Sequence, residues 1–277
     1  MNSEFRADLH CHSHFSDGTD SPEQLIELAL EKGLSGLSIT DHDTVAVYSE
    51  GLEIARKKNF LLLNGAEFSA SYGGEPVHIL AYAYQIKHRA IAALCERHAA
   101  RRGKRNRRIL EKLQALGFDL TEENLENKNI KGSVGRPHIA HALLKKGVVS
   151  SIQEAFDRYL GEGKPAYDPG EPLSVEETIE AIHQGKGKAI LAHPHLIKKK
   201  VTLRAMLNQP FDGIEGYYAR FTKDQEKKWI DLAHQKKWII TGGSDYHGST
   251  KPHSILGSSW VGQETFDFLY KHYLSVN

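Results

Sequence analysis

The chain has 277 residues, with 36 Lys and Arg against 35 Asp and Glu, so its near-zero net charge excludes a molecule that grips polyanions over its whole surface; any basic face must be local. Its length fits one barrel of alternating strands and helices that carries an insertion. Cys11 and Cys95 stand far apart, which excludes a disulfide framework and fits a reducing cytoplasm, while no N-terminal stretch has the character of a signal peptide and no run approaches the ~18 apolar residues that span a bilayer.

The first strand is expected near Phe5 to His10. Ser21-Pro22-Glu23-Gln24 then opens a helix, because Ser caps, Pro suits the first turn and Gln24 completes a capping box; Gly33 ends it. Short apolar segments follow at Gly36 to Thr40, Phe60 to Asn64, Val77 to Tyr84, Ala189 to Ala192, Gly213 to Tyr218 and Trp238 to Gly242, about seven strands in all. Capping boxes at Ser174 and Thr222 mark helices between them. The pattern predicts a parallel, barrel-like α/β fold with right-handed crossovers. Between about Lys87 and Gly170 this rhythm stops. Helical periodicity takes over in Ile91 to Leu116, Pro137 to Lys146 and Ile152 to Leu160, and the first of these helices carries Arg97, Arg101, Arg102, Lys104, Arg105, Arg107 and Arg108. Such a face is read first as solvated surface, with phosphate contact as the alternative.

Histidines and carboxylates gather where these strands give way to loops. His10 and His12 stand two apart, so on a strand they share a face and can grip one cation; Asp17 follows. His42, Glu67, His193, Asp245 and His247 each come after a β-like segment, and His78 lies within one. Ligand types spread in this way read as a multinuclear metal site at the C-terminal face of a barrel. Asp8, Asp41 and Asp43 are close enough in sequence to orient the imidazoles from behind. By contrast, His88, His98, His141, His183, His234 and His272 read as packed or surface residues.

Taken together, His10-x-His12-x4-Asp17-Gly18, Thr40-Asp41-His42-Asp43, Glu67, His78, Ala192-His193-Pro194 and Gly243-Ser244-Asp245-Tyr246-His247 closely resemble the polymerase and histidinol phosphatase (PHP) family of phosphoesterases. Gly132 to Ala140 and Gly163 to Tyr167 are similar to the branch that contains 3',5'-nucleotide bisphosphate phosphatases and ribonuclease AM. The resemblance implies a distorted (β/α)7 barrel formed by residues 1–86 and 171–277, with residues 87–170 as a helical insertion over the site. It implies a first metal on His10, His12, Glu67 and Asp245, a second on Glu67, His78 and His193, and a third on Asp17, His42 and His247, with Glu67 bridging two of them. One departure stands out: where the branch commonly has a substrate-facing His after Tyr217-Tyr218-Ala219-Arg220, this chain has Phe221.

Such a pocket stays electropositive, because three divalent cations outweigh Asp17, Glu67 and Asp245, and it calls for an anionic substrate. A nitrogen and oxygen ligand set rich in imidazole suits manganese best, with iron and zinc as alternatives. The expected reaction is attack of a metal-activated hydroxide on the 3'-phosphate of a nucleoside 3',5'-bisphosphate, with Asp245 orienting the attack and His195 delivering a proton to the leaving group. Arg136 before Pro137 at a helix start is the expected anchor for a second phosphate, followed by His138, Lys164 and Arg220. The substrate alternatives are a short 5'-phosphorylated RNA, cleaved from its 5' end, and histidinol phosphate; a nonhydrolytic metal-stabilised binding module is the reading outside enzymes. The expected partner is thus a nucleotide or short RNA in the cytoplasm, with neither a membrane nor an obligate protein partner.

Overall fold

A computed structural model describes residues 4–125, 132–219 and 221–277. Strand β1 (Ala7–Cys11) leads to α1 (Pro22–Glu31), whose start is the expected capping box: Ser21 Oγ accepts from Gln24 N at 3.2 Å and Gln24 Oε1 accepts from Ser21 N at 2.8 Å. Its Leu25, Ile26 and Ala29 are buried. Strand β2 (Gly36–Ile39), α2 (Tyr48–Lys57), β3 (Leu61–Tyr72) and β4 (Glu75–Tyr82) follow.

The β3–β4 pair departs from the all-parallel expectation. The first half of β3, Leu61 to Asn64, pairs parallel to β2, while Gly65 to Tyr72 pairs antiparallel to β4. The link is a two-residue turn at Gly73 and Gly74, with φ of 55° and 78°. Two successive left-handed residues twist a hairpin in the sense the strands require, and glycine adopts that conformation without a Cβ clash. The hairpin also explains why β3 runs on past Asn64: Glu67 lies inside an extended strand, although the sequence pattern places it after one. Because β4 runs backwards, His78 sits near its beginning, paired with Ser69 at the far end of β3.

After β4 come α3 (Arg89–Ala115), α4 (Arg136–Lys145) and α5 (Ile152–Ala155), the last continuing into a wider helical turn over Phe156–Leu160. The barrel then resumes with β5 (Leu173–Ser174), α6 (Val175–Gln184), β6 (Lys188–Leu191), α7 (Lys200–Met206), β7 (Gly213–Tyr218), α8 (Lys223–Lys236), β8 (Ile239–Gly243) and α9 (Gln263–Val276). The strand order is β1-β2-β3-β4-β6-β7-β8, with β5 paired to β3. The ends meet just past β8, where Asp245 N donates to His10 O and His12 N donates to Tyr246 O, both at 2.8 Å. Gly243 permits that approach, since a Cβ there would collide with His10. The result is a distorted, nearly closed barrel of mostly parallel strands.

Strand alternation sorts the faces. Val77, Ile79 and Ala81 of β4 and Ala66, Phe68 and Ala70 of β3 pack outward against Ile179 and Ile182 of α6 and Leu94 of α3, which turns Glu67 and His78 the other way. Leu80 and Tyr82 join Leu9, Leu63, Ile190 and Phe266 of α9 in a second cluster. Residues between Ile109 and Ala166 hold a hydrophobic cluster of their own, built around Leu113, Leu120, Ile139, Leu143 and Leu160. Among the described residues no helix is long and apolar enough to cross a membrane.

The basic helix also departs from the solvated reading. Arg97, Lys104 and Arg107 are exposed, but Arg102 and Arg105 are buried and Arg101 half-buried. A 27-residue helix that lies across the barrel must bury one face, and here that face is partly cationic.

Candidate active site

Glu67 is the hub of the site. Its Oε1 lies 2.7 Å from His78 Nδ1 and 2.8 Å from His193 Nε2, while Oε2 lies 3.2 Å from His10 Nε2, 3.1 Å from His12 Nε2 and 3.4 Å from His42 Nδ1. One carboxylate thus directs its two oxygens to two different sets of imidazoles. Burial by itself pushes the Glu67 carboxyl up, yet the surrounding His42, His78 and His10 hold it well below the usual carboxylate range.

Asp245 Oδ1 lies 3.5 Å from His10 Nε2, 3.4 Å from His12 Nε2 and 3.5 Å from His247 Nδ1. Its Oδ2 accepts from Tyr218 Oη at 2.9 Å and Lys251 Nζ at 3.0 Å. Neither Tyr218 nor Lys251 is marked in the sequence as a partner of this carboxylate. Asp17 faces His247 Nε2 at 3.5 Å, His12 Nδ1 at 3.7 Å and His42 Nε2 at 3.8 Å. Donor atoms therefore gather into three groups, each within 4.8 Å: His10, His12, Glu67 and Asp245; His42, Glu67 and His78; and His12, Asp17, His42 and His247. His193 reaches the second group through Glu67, and His12 and His42 each stand between two groups.

Divalent cations fit this donor set. Both ring nitrogens of His12, Nδ1 of His42, Nε2 of His247 and Oδ1 of Asp17 are buried and make no hydrogen bond. Leaving such atoms unmet costs about 1–3 kcal/mol each, and a cation meets them. Burial pushes His42 down to about 4 and His247 down to about 3, which keeps both as the neutral imidazoles that ligate. At His12 burial acts downward too, but Asp245 and Glu67 outweigh it and hold the ring up at about 9. A cation entering there displaces a proton, so its uptake grows more favourable as pH rises.

The supporting groups are not those the sequence spacing suggests. Asp8 accepts from the backbone N–H of His10, Ser244 and Gly257, and Asp41 accepts from Ser13 N, Ser13 Oγ and Ser16 Oγ. Both brace loops and hold no imidazole. Glu215 of β7 does that instead: fully buried, it accepts from His10 Nδ1 at 2.8 Å through Oε1 and from the His193 backbone N–H at 2.7 Å through Oε2. The bond fixes the His10 tautomer with Nε2 facing the site. It also restrains His193, whose φ of 23° is a sparsely populated conformation ahead of Pro194. A signal for Glu215 existed, because a single acidic residue inside an apolar strand is seldom buried without a task. Glu215→Gln is expected to weaken metal affinity or turnover by about 10–100-fold with the fold retained; elemental analysis beside a rate measurement checks this, and full metal content at an unchanged rate refutes it.

Asp43, in the left-handed region at φ 60°, ties the site to the insertion. It accepts from Arg102 Nε at 2.6 Å and from Ser69 N at 2.6 Å, and it lies 3.3 Å from His98 Nδ1. Burial pushes its carboxyl up, but Arg102 and His98 hold it well below the ordinary value.

Two of the cavities that adjoin the donor residues contain residues expected from the sequence to touch substrate. A small one, about 100 Å³, is lined by His78, Ser69, Arg101, Arg105, Arg136 and Tyr167. A larger one, about 590 Å³, is lined by Asp17, His14, Asn124, His138, His141 and Lys145 among others. Arg136 therefore sits beside His78, with its guanidinium 5.4 Å from the centre of the Tyr167 ring. His138 lies in the other cavity, where Nδ1 accepts from Gly135 N at 2.9 Å. Lys164 is exposed and lines neither cavity. Arg220 lies outside the described residues. His195 packs against Tyr218 and Phe221, with ring centres 4.8 Å and 4.7 Å away. Burial and the neighbouring His193 push it down to about 4, so it is a neutral imidazole near pH 7. Phe221 thus covers one side of His195.

Comparison with known proteins gives this arrangement a family. The PHP domain model matches residues 8–167. A 5'-3' exoribonuclease of Haemophilus influenzae is 34% identical over 245 residues, covering 87% of this chain and 89% of its own. A 3',5'-nucleoside bisphosphate phosphatase of Chromobacterium violaceum is 30% identical over 249 residues, covering 87% and 86%. A crystal structure from Bifidobacterium adolescentis, described as a metal-dependent phosphoesterase, superposes with a TM-score of 0.87 at 31% identity, covering 96% of each chain. The chain therefore belongs to the PHP family and is a metal-dependent phosphoesterase.

Proposed function

We propose that this enzyme hydrolyses the phosphate ester on the 3' oxygen of a 5'-phosphorylated nucleoside, and in the first instance the 3'-phosphate of nucleoside 3',5'-bisphosphates. The observation that carries this reading is the guanidinium cluster beside His78. Arg101, Arg105 and Arg136 line a cavity of about 100 Å³, and none of them has a carboxylate partner in the ion pairs of the described residues. Asp168, also on its wall, is taken by Arg108 at 3.1 Å and Lys112 at 3.2 Å. Burial, reinforced by Arg102 and Arg136, pushes Arg105 down to about 9. Crowded, half-desolvated guanidiniums are stabilised by a dianion that accepts several hydrogen bonds at once. A terminal 5'-phosphate has that charge and size.

Three divalent ions, manganese foremost and iron or zinc as alternatives, would be held by His10, His12, Glu67 and Asp245; by Glu67, His78 and His193; and by Asp17, His42 and His247. When bound they supply an activated water and neutralise phosphate oxygens. The protein's own residues do the rest. Glu67 holds five imidazoles in one arrangement, and Tyr218 with Lys251 fixes the Asp245 carboxylate that aims the attack. His195, a neutral ring, offers an N–H to the departing 3' oxygen. The P–O3' bond breaks, the water's oxygen joins phosphorus, and the proton that the attacking water gives up passes to O3'. Residues 1–86 and 171–277 act as the barrel and residues 87–170 as a lid, a division supported by the separate hydrophobic cluster between Ile109 and Ala166.

Manganese-loaded protein offered adenosine 3',5'-bisphosphate, a short 5'-phosphorylated RNA and histidinol phosphate in parallel tests the reading. Turnover of histidinol phosphate alone overturns it. Arg136→Ala is expected to raise KM for the bisphosphate roughly tenfold or more, the loss of about 1.5–3 kcal/mol from a charge-assisted hydrogen bond. A simple phosphomonoester lacking the second phosphate is the control, and an equal rise for both removes Arg136 as the anchor.

A further inference from the structure

The three donor groups differ in what braces them. Glu215, Tyr218 and Lys251, which belong to the barrel, hold His10, His193 and Asp245, while Glu67 and His78 stand on the paired strands β3 and β4. The group of His12, Asp17, His42 and His247 is built differently. Asp17 and His42 stand on the loops after β1 and β2, and α3 with the segment ahead of α4 grips both loops. Arg102 of α3 reaches the His42 loop, where its Nε donates to Asp43 Oδ2 at 2.6 Å; it also donates to Ser69 Oγ at 3.3 Å, on a strand that its own ladder holds. Ser133 N reaches the Asp17 loop and donates to the Phe15 carbonyl at 2.8 Å. Gly132 lies so near that a Cβ there would collide with the same carbonyl oxygen. Both grips belong to one body: Asn106 Nδ2 of α3 donates to the Val134 carbonyl at 3.1 Å, and a Cβ on Gly135 would come within 2.9 Å of Arg102 Nη1. Asp41, next to His42, ties the two loops to each other by accepting from Ser13 and Ser16. Among the described residues no hydrogen bond or ion pair runs from residues 87–170 to His10, Glu67, His78, His193 or Asp245; the bonds that leave this stretch go elsewhere.

We propose that α3 and residues 132–135 position the Asp17 group alone, so that their seating on the barrel and the affinity of that group for a divalent cation are thermodynamically linked. This rests on the preceding assignment of cations to the three donor groups. Ligation requires donor atoms placed to within about 0.2 Å, and a loop holds that precision only where a second layer of contacts fixes it. Arg102 through Asp43, and Gly132 with Ser133 through Phe15, are that layer for His42 and Asp17. Asp17 Oδ1, His42 Nδ1 and His247 Nε2 are buried without a hydrogen bond, so the loops reach their lowest energy only when a cation meets these atoms. Linkage is reciprocal: the factor by which the seated segments raise cation affinity is the factor by which the bound cation favours their seating. The other two groups, braced by the barrel, keep their affinity when the segments loosen. Two cations are thus resident, and the third comes and goes with α3.

Manganese titration of metal-stripped protein, read by calorimetry and by elemental analysis after desalting, tests the linkage. Two variants serve: Gly132→Ala, at an exposed position where the added methyl must push the segment off Phe15, and Arg102→Lys, which keeps the charge and loses the forked donors. Each is expected to weaken one manganese site about tenfold and to leave the other two unchanged, a selectivity that general loss of structure does not produce. Hydrogen exchange gives the reciprocal readout. Saturating manganese should slow exchange of the α3 amides about tenfold in the wild type, and Asp17→Asn should abolish that slowing. Equal weakening of all sites, unchanged affinities in both variants, or α3 exchange indifferent to manganese overturns the proposal. Manganese binding that Asp17→Asn leaves intact shows instead that no cation sits in that group, which sinks the assignment itself and the linkage with it.

Discussion

Replacing Glu67 with Ala is expected to lower kcat by at least about a thousandfold, roughly 4 kcal/mol in the barrier. No other side chain in the site touches so many donors: Oε1 meets His78 and His193, and Oε2 meets His10, His12 and His42. Without the carboxylate, two donor groups lose their shared anion and the imidazoles lose the acceptor that separates them. Bound metal should fall together with rate. The fold should persist, because β3 keeps its ladder to β2 and β4 through backbone groups alone. A variant that retains full metal content and more than a tenth of the rate would remove Glu67 from the mechanism. Glu67→Gln refines the test, since it keeps the volume and one acceptor oxygen while removing the charge.

The second large effect is on stability. Arg102→Met is expected to cost about 3–5 kcal/mol, the penalty for leaving one member of a buried ion pair without the other. Asp43 is fully buried and has Arg102 as its guanidinium partner at 2.5 Å; His98 is the remaining titratable neighbour, and Ser69 contributes a backbone N–H. The sign of the pH dependence follows from Asp43. Its folded pKa is depressed, so the stability it contributes is fully present above the ordinary carboxylate value of about 3.9 and is lost as pH falls through the folded pKa. In the variant that depression is reduced. The gap between wild type and Arg102→Met should therefore keep its full size from pH 7 down to about pH 4 and narrow only as pH falls below about 3.9. Urea unfolding at several pH values measures it, and a loss below about 1 kcal/mol at pH 7 would show that the pair is not a structural link. Because Asp43 follows His42 directly, a drop in activity beyond the unfolded fraction would also show that α3 helps to place the loop that carries the His42 donor.

The clustered donor residues were legible because their signal is local. His10 and His12 share a strand face by simple alternation, Asp17 follows in the same loop, and His42, His193, Asp245 and His247 stand where apolar segments end. No long-range information is needed to see that such side chains emerge at one rim of a barrel. The capping boxes at Ser21, Ser174 and Thr222 likewise depend on contacts three residues apart, and α1, α6 and α8 begin where they predict. Glycines at positions 73 and 74 did carry the hairpin signal, but the regular spacing of strands argued for crossovers and hid it.

Other features became visible only once the chain was folded. Which face of α3 turns inward depends on where that helix lies across the barrel, and no count of arginines reveals that Arg102 and Arg105 are buried while Arg97 and Arg107 are not. Glu215 supports His10 from 205 residues away, and Lys251 and Tyr218 converge on Asp245 from separate loops and strands. The separation of Arg136 from His138 into different cavities is of the same kind, since two neighbours at a helix start can point to opposite flanks. Local chemistry, periodicity and turn residues therefore determined the barrel, its rim and the donor types in this protein. Partner identity, the direction of β4 and the charge of each cavity were decided by packing between distant segments, because burial and pairing depend on which surfaces meet.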